Sequence, residues 1–353
     1  MEKDEFAIPV IECSTPKDFM DELDETHERW EHGTWIFRGQ SNACWKLVPS
    51  AMRKSGFIAK RTAEANQQNL SRLMTDNEFV QRIDQQLGRN YDKYFTYEPT
   101  ATSMRKSDDA GKRKNFILLT SHYALERVLV LAFEDLADRV HLELPVDRSP
   151  TAWDKPVTFR DLLVSSFENV VLPDEKEPYR IMYALAQHHG VATRLLDWTY
   201  RPLVAAFFAA YHETKPPSKA CAETAQQQEA DPSRIVVYAV DQSAAGRTGL
   251  RVVKHRRSQI GFLKSQDGVF MFDAKANTDF MYYSEWLPLD YRLTEIADKN
   301  AVYKLTLPFC QRLELLRLLD KKQVSRPFLM PSFDNVAYEI NCRPQEAIKR
   351  VTV

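Results

Sequence analysis

The residues best suited to chemistry are concentrated in residues 187–199, which read QHHGVATRLLDWT. Two adjacent histidines, His188 and His189, are followed there by a glycine, an arginine and Asp197. Apolar segments with the character of buried helices precede and follow this stretch. Ionisable side chains between two segments that favour burial are unstable unless they are paired, so they tend to mark a site. We therefore expect this stretch to contribute to a binding or catalytic site.

The two histidines could serve a ligand in different ways. Neighbouring residues cannot share one helix face, so one histidine could position a ligand or remove a proton while the other packs or caps the helix end. Gly190 would end that helix in the left-handed conformation. Two purely structural histidines explain His188 and His189 equally well. Metal binding is not favoured, because no third ligand follows at a helical spacing and the cysteines lie elsewhere.

Polar residues that follow the histidines can form a hydrogen-bonded group. Asp197 could accept a hydrogen bond from Arg194 or orient a histidine, with Thr193 beside them. Thr199 could cap the helix that Pro202 begins. For Asp197, a structural role that only locks two chain segments together is as well supported as a functional one.

A second candidate site begins at Arg38, directly after a short strand predicted at residues 34–37. An arginine at a strand end can bind a phosphate or a carboxylate with two hydrogen bonds. Gly39 lets a ligand or another backbone approach closely, and Gln40 follows it. The alternative is an arginine paired with a core carboxylate beside an ordinary turn. Taken alone, these residues favour that alternative.

One basic cluster stands out in a chain of little net charge. The sequence has 48 Lys and Arg against 49 Asp and Glu, so nothing global attracts it to nucleic acid or to a membrane. The basic residues within 247–264 are Arg247, Arg251, Lys254, Arg256, Arg257 and Lys264. Such a segment, which also contains Gln259, could bind the phosphates of a nucleotide or of RNA. A solvated surface is the usual alternative for a run of charges.

Composition is typical of a folded protein from a reducing compartment. The 353 residues are 44% hydrophobic and 27% charged, as in globular domains. The five cysteines are scattered and form no CxxC pair, which argues against a disulfide framework and a zinc site. No signal peptide and no uncharged apolar run of membrane-spanning length is evident, so we expect a cytoplasmic protein. The motifs of P-loop, Rossmann, serine-hydrolase and zincin enzymes are absent.

The pattern of apolar residues predicts an α+β fold. Helices are expected over residues 16–32, 60–90, 116–136, 159–167, 179–188 and 202–213. A polar segment, 214–233, is expected to be a flexible loop. Strands are expected after it, at residues 235–240, 268–272 and 301–307, followed by a helix at 308–319. These elements indicate a helical portion packed on a small, mainly antiparallel sheet.

The chain resembles the FRG-domain family, named for the triplet present here as Phe37-Arg38-Gly39. Residues 37–53, FRGQSNACWKLVPSAMR, fit the first block of that family closely. Residues 187–199 match its QHHG…TRLLDWT block, and residues 202–209 match the PL-x-A-x-FFA helix that follows.

Later parts of the chain extend this resemblance. An R-x-x-Q-x-G-x-F-like element is present at residues 256–262, although SQDG before the next strand departs from the family pattern. Residues 330–337 approximate the closing family element. The resemblance implies a single FRG-type domain over residues 1–353, with a helical, insertion-like region at 60–175.

The strand that ends in Arg38-Gly39 is also similar to the first motif of arginine-type ADP-ribosyltransferases, which implies a related fold and NAD as substrate. By that similarity, Arg38 would hold the pyrophosphate or a ribose, and the Gly39 backbone would bond the nicotinamide carboxamide. A carboxylate would stabilise the oxocarbenium-like transition state. The candidates are Asp197 and Glu339, the latter on an expected late strand but without the ExE or QxE context of those enzymes.

The same similarity implies roles for the remaining candidates. His188 or His189 would position the NAD ribose or deprotonate an acceptor. The group that binds NAD would further include Gln40, Thr193 and Arg194, and Gln259 would lie near the acceptor.

These features imply an NAD-dependent toxin or antiphage effector that resembles ADP-ribosyltransferases and modifies a protein or a nucleic acid. RNA or DNA would bind through Arg247, Arg251, Lys254, Arg256 and Arg257. An antitoxin or regulator protein could be a partner, and neither a metal nor a membrane is expected. The alternative is a non-catalytic module of a bacterial defence system that senses a nucleotide or binds nucleic acid.

Overall fold

The computed structural model describes most of the chain in six stretches. They are residues 8–56, 58–60, 109–145, 177–211, 234–255 and 261–342, with single positions at 77, 81, 85 and 88. All structural statements below concern these residues.

One seven-stranded sheet organises the described residues. Its strands are β1 (Val10–Glu12), β2 (Trp35–Gln40), β3 (Leu196–Thr199), β4 (Arg234–Asp241), β5 (Leu250–Val253), β6 (Gly268–Asp273) and β7 (Val302–Pro308). The order across the sheet is β1-β7-β4-β2-β3-β6-β5, and all pairs except the parallel β1–β7 pair are antiparallel. The predicted α+β class with a mainly antiparallel sheet is confirmed.

Helices pack against this sheet. They are α1 (Pro16–Glu22), α2 (Asp109–Arg139), α3 (Glu177–His188), α4 (Pro202–Ala210), α5 (Gln242–Thr248), α6 (Gly261–Gln266), α7 (Ala276–Tyr283), α8 (Leu289–Thr294), α9 (Arg312–Lys321), α10 (Arg326–Leu329) and α11 (Phe333–Cys342). Short 3-10 turns occur at Glu28–Trp30, Ser50–Met52, Lys299–Ala301 and Phe309–Gln311.

Several boundaries differ from the prediction. Helix α1 begins as expected, since the Thr15 hydroxyl accepts from the backbone N–H of Asp18, but it ends at Glu22 and not near residue 32. The expected helix at 159–167, the loop at 214–233 and most of 60–90 lie outside the described residues. The predicted domain limits therefore stay predictions.

The sheet opens between its two central strands β2 and β3. Strand β2 pairs with β4 along residues 35–40, but it pairs with β3 only where Phe37 faces Thr199. Strand β3 pairs with β6 along its whole length. Beyond Phe37, therefore, Arg38 and Gly39 face β3 without a backbone ladder between the strands.

Helix α4 covers one face of the sheet at this opening. Its residues Val204, Ala205 and Ala209 are fully buried against β2 and β4. A Cβ atom at Gly39 would overlap the carbonyl oxygen of Ala205 and lie 2.6 Å from the backbone nitrogen of Ala209. Glycine is therefore required at this position for α4 to approach the strand.

Helix α2 is apolar enough to resemble a membrane span. Residues 111–139 are long and apolar enough to cross a membrane, and this is the one such helix among the residues that the structure describes. However, 56% of its most apolar 18-residue segment is buried in the fold. Its side chains Phe116 and Glu126 are fully buried, the latter bonded to Arg194. These contacts are those of a core helix.

Candidate functional site

A cavity of about 350 Å³ lies at the opening between β2 and β3. This volume is within the range of small-molecule pockets. The strands contribute Phe37, Arg38, Gly39, Asp197, Trp198 and Thr199, and the rest of the lining is Gln187, His188, Val204, Ala205, Phe208, Gln266 and Met330. The two segments that the sequence singled out therefore meet in one pocket, which we call the strand-opening pocket.

Arg38 supplies a positive charge to the strand-opening pocket. Its Nη1 donates to the carbonyl oxygen of Asp197 at 2.6 Å, across the opening. Its Nε is buried and has no hydrogen-bond partner among the described residues, where Arg38 also forms no salt bridge. Burial lowers the pKa of Arg38, but an arginine stays charged at neutral pH. A cation with an unused donor favours an anionic ligand.

Trp198 has a second buried donor without a partner among the described residues. Its indole Nε1 is buried and lacks an acceptor within the described part of the chain. A buried donor without a partner destabilises a fold by about 1–3 kcal/mol, so native structures contain few of them. The ring of Trp198 packs in the core with Ile36 and Tyr238, so its donor is not assigned to a ligand of the pocket.

Asp197 presents its carboxylate on an exposed position of β3. Its Oδ2 accepts from Gln187 Nε2 at 3.1 Å. Gln187 Oε1 in turn accepts from the hydroxyl of Thr193 at 2.7 Å, and Thr193 is fully buried. This chain of hydrogen bonds fixes the orientation of the carboxylate. Thr193 therefore acts on the pocket through Gln187.

The two histidines occupy different environments. The His188 ring lies parallel to the Phe262 ring with 3.3 Å between centroids, and it lines the pocket. Burial, aided by neighbouring His189, lowers the pKa of His188 to about 4, so it is neutral at pH 7. A neutral imidazole of this kind is suited to hydrogen bonding and is a weak base. His189 is exposed and does not line the pocket.

The end of α3 forms as the sequence predicted. Gly190 has φ +86°, the left-handed conformation expected of the residue that ends the helix. The turn allows residues 191–195 to lead directly into β3.

Arg194 lies away from the pocket, in a buried ion pair with Glu126 of α2. Its Nη2 and Nε donate to Glu126 Oε2 at 2.7 and 2.9 Å, and its backbone N–H donates to Oε1 at 2.7 Å. The expected hydrogen bond from Arg194 to Asp197 is therefore wrong. Because Glu126 precedes it by 68 residues, no local spacing indicated this partner. Arg194 ties the segment before β3 to α2.

Two further expectations near the pocket need correction. Gln40 does not line the pocket; its Nε2 donates to the carbonyl oxygen of Trp45 at 3.3 Å. Thr199 does not cap α4, whose N-cap residue is Arg201. The Thr199 hydroxyl instead donates to the carbonyl oxygen of Gln266 at 2.6 Å and accepts from the Arg201 N–H.

Glu339 is not on a strand. It lies in α11 and is not part of the pocket lining, so Asp197 is the carboxylate that lines the pocket within the described residues. Gln259, Arg256 and Arg257 lie outside the described residues.

The remaining basic residues are exposed at the edge of the sheet. Arg247 lies in α5, Arg251 in β5, and Lys254 directly after it. Arg251 Nη1 donates to the carbonyl oxygen of Gly246, and Lys254 Nζ lies 5.2 Å from the centre of the Tyr200 ring. None of the three lines the strand-opening pocket.

Several pocket residues were not predicted as site residues from the sequence, among them Phe208, Gln266 and Met330. Phe208 and Met330 form apolar parts of the lining, and Gln266 lies beside Thr199. Gln266 and Met330 come from segments distant from 187–199, and only the weak family element at 330–337 includes Met330. No group of three metal-ligating side chains occurs within the ranges that the structure describes.

Comparison with known protein families bears on these residues. The model of the FRG domain family matches residues 137–218. This part of the chain is similar to the FRG domain. The matched range contains Gln187, His188 and Asp197, whereas the strand with Arg38 and Gly39 lies outside it. Searches of curated proteins and of solved structures gave no match.

Proposed function

We propose that the protein is an NAD-dependent ADP-ribosyltransferase that modifies a macromolecular acceptor. The observation that supports this most is the meeting of Arg38 and Asp197 at the strand opening. There, a cation with an unused donor lies beside an oriented carboxylate. The pyrophosphate of NAD would bind Arg38, and the positive charge that develops on the ribose would be stabilised by Asp197.

The residues divide the reaction among them. Arg38 binds phosphate or ribose oxygens, and His188 accepts or donates a hydrogen bond at a ribose hydroxyl. The bond between the nicotinamide nitrogen and ribose C1′ breaks, and its electron pair leaves with nicotinamide. The acceptor atom bonds to C1′ and loses a proton. Asp197 stabilises the positive charge at C1′ and takes that proton.

Glycine at position 39 supports this geometry. Because α4 leaves no room for a side chain there, the backbone itself forms that part of the lining. The Gly39 backbone is therefore the group that would bond the nicotinamide carboxamide, beside α4.

The setting that we propose is a bacterial toxin or antiphage effector in the cytoplasm, held inactive by an antitoxin or regulator protein. The four described cysteines, Cys13, Cys44, Cys310 and Cys342, are free thiols. Free thiols are the usual state in a reducing compartment.

A non-catalytic nucleotide sensor is the second candidate. It is favoured by the engagement of Asp197 with Gln187, since no other carboxylate lines the pocket within the described residues. A pocket with one engaged carboxylate could bind a nucleotide and signal through α11 or a loop without chemistry.

Incubation with NAD labelled in its adenine tests the proposal. Purified protein, a cell lysate and labelled NAD are combined, and protein and nucleic acid are counted separately. We expect label in one macromolecular fraction, lost in Arg38→Ala and retained in Arg317→Ala, which alters an exposed arginine of α9. Survival of intact NAD with the wild type would support the sensor instead.

A further inference from the structure

A second pocket adjoins the first and is strongly basic. It has a volume of about 470 Å³ and is lined by Arg201, Lys264 and Lys322, with Phe328 among its other residues. No acidic residue lines it within the described part of the chain. None of the three cations forms a salt bridge with a described residue. We call it the basic pocket.

The wall between the two pockets is thin. Ser265 Oγ and Gln266 Nε2 both donate to the carbonyl oxygen of Leu329 at 3.0 Å. Ser265 and Leu329 line the basic pocket, whereas Gln266 and Met330 line the strand-opening pocket. In each of these two segments, therefore, one residue lines the basic pocket and the next residue lines the strand-opening pocket. A molecule seated in the basic pocket is next to the proposed NAD site.

The basic pocket combines exposed cations with an exposed aromatic ring. Lys264 and Lys322 are exposed at the pocket itself. Phe328, which also lines the pocket, is 49% exposed. A row of cations with an exposed aromatic ring is the arrangement with which proteins bind single strands.

We propose that the acceptor is a single-stranded nucleic acid that docks in the basic pocket. This inference rests on the proposed transferase function. Phosphates of the strand bind Lys264, Lys322 and Arg201, and one base stacks on Phe328. A neighbouring base reaches past Gln266 into the strand-opening pocket. Its amino nitrogen bonds to ribose C1′ as nicotinamide leaves, and the proton that the nitrogen loses passes to Asp197.

Binding of a fluorescent 20-nucleotide RNA, measured without NAD at several salt concentrations, tests the docking site alone. The variant K264Q/K322Q changes two exposed lysines, and K17Q/R317Q removes the same charge elsewhere on the surface. Release of two phosphate contacts should weaken the logarithmic salt dependence by about 1.4. We expect at least a tenfold loss of affinity in K264Q/K322Q and none in K17Q/R317Q. Phe328→Ala should weaken binding further at every salt concentration.

Equal RNA affinity in K264Q/K322Q and K17Q/R317Q would overturn the docking site. Transfer of label from NAD to protein and not to nucleic acid would also overturn it, because the acceptor would then be a protein. A parallel measurement of nicotinamide release separates the two proposals. RNA binding that depends on the basic pocket, without any NAD consumption, refutes the transferase and with it the acceptor role of the strand.

Discussion

Asp279 is one of three carboxylates that surround the buried side chain of Arg292. Arg292 bonds to both Asp273 and Asp279 and lies near Glu295, and it is 1% exposed. Burial, opposed mainly by Arg292 and reinforced by Asp273, raises the pKa of Asp279 to about 7. The buried carboxyl group of Asp279 therefore keeps its proton up to about pH 7, whereas an exposed aspartate loses its proton near pH 4.

The raised pKa has a definite consequence for stability. Between pH 4 and about 7 the folded state binds more protons than the unfolded state, so this group makes the unfolding free energy fall as pH rises. In Asp279→Asn, the decrease in unfolding free energy from pH 5 to 8 should be smaller by about 2–3 kcal/mol. Denaturant unfolding at both pH values measures it. The exposed Asp21→Asn should keep the wild-type slope, and an unchanged slope in Asp279→Asn would contradict the assignment.

Single residues also show what the sequence could predict of the site. Residues 187–199 and Arg38-Gly39 stood out by composition, and the pocket contains members of both. Glu339 was misplaced because Val336, Tyr338 and Ile340 alternate as in a strand. In α11 these three side chains are instead 44%, 40% and 48% exposed. An alternating pattern over so few residues does not separate a strand from a helix with an exposed apolar side.

At the element scale, the contact between β2 and α4 sets the shape of the pocket. Gly39→Ala would force the new methyl group against the Ala205 carbonyl and the Ala209 nitrogen. We expect the free energy of unfolding to fall by about 1–3 kcal/mol, because neither backbone can move without disturbing the sheet. Gly246→Ala in α5 adds the same methyl group where nothing lies within 4 Å, and it should be neutral or slightly stabilising.

Thermal or denaturant unfolding of both glycine variants measures this difference. Equal stability in Gly39→Ala and Gly246→Ala would show that α4 does not require the glycine. The sequence indicated Gly39 as a point of close approach, but it could not tell a ligand from a helix as the approaching group. The structure shows a helix there, and the ligand is proposed beside it.

At the scale of the whole molecule, the site joins segments far apart in the chain. The FRG match at residues 137–218 contains α3, β3 and α4 but not β2 or the 261–342 segment. The sheet order, with β2 and β3 adjacent at its centre, brings Arg38 to Asp197. The sequence predicted the fold class because the spacing of apolar residues that marks a strand or a helix can be read from neighbouring residues. It could not predict the Arg194–Glu126 pair or Gln266, which depend on how distant segments pack.

The most direct test of the central claim separates binding of NAD from its use. Calorimetric titration of NAD and nicotinamide release are measured for wild type, Arg38→Gln and Asp197→Asn, with unchanged melting temperature as the control for folding. Arg38→Gln should weaken NAD binding by about 10- to 100-fold, as expected for a lost charged hydrogen bond. Asp197→Asn should bind NAD nearly as well as wild type but release nicotinamide about 100-fold more slowly. Wild-type binding in Arg38→Gln, or wild-type turnover in Asp197→Asn, would contradict the proposed site.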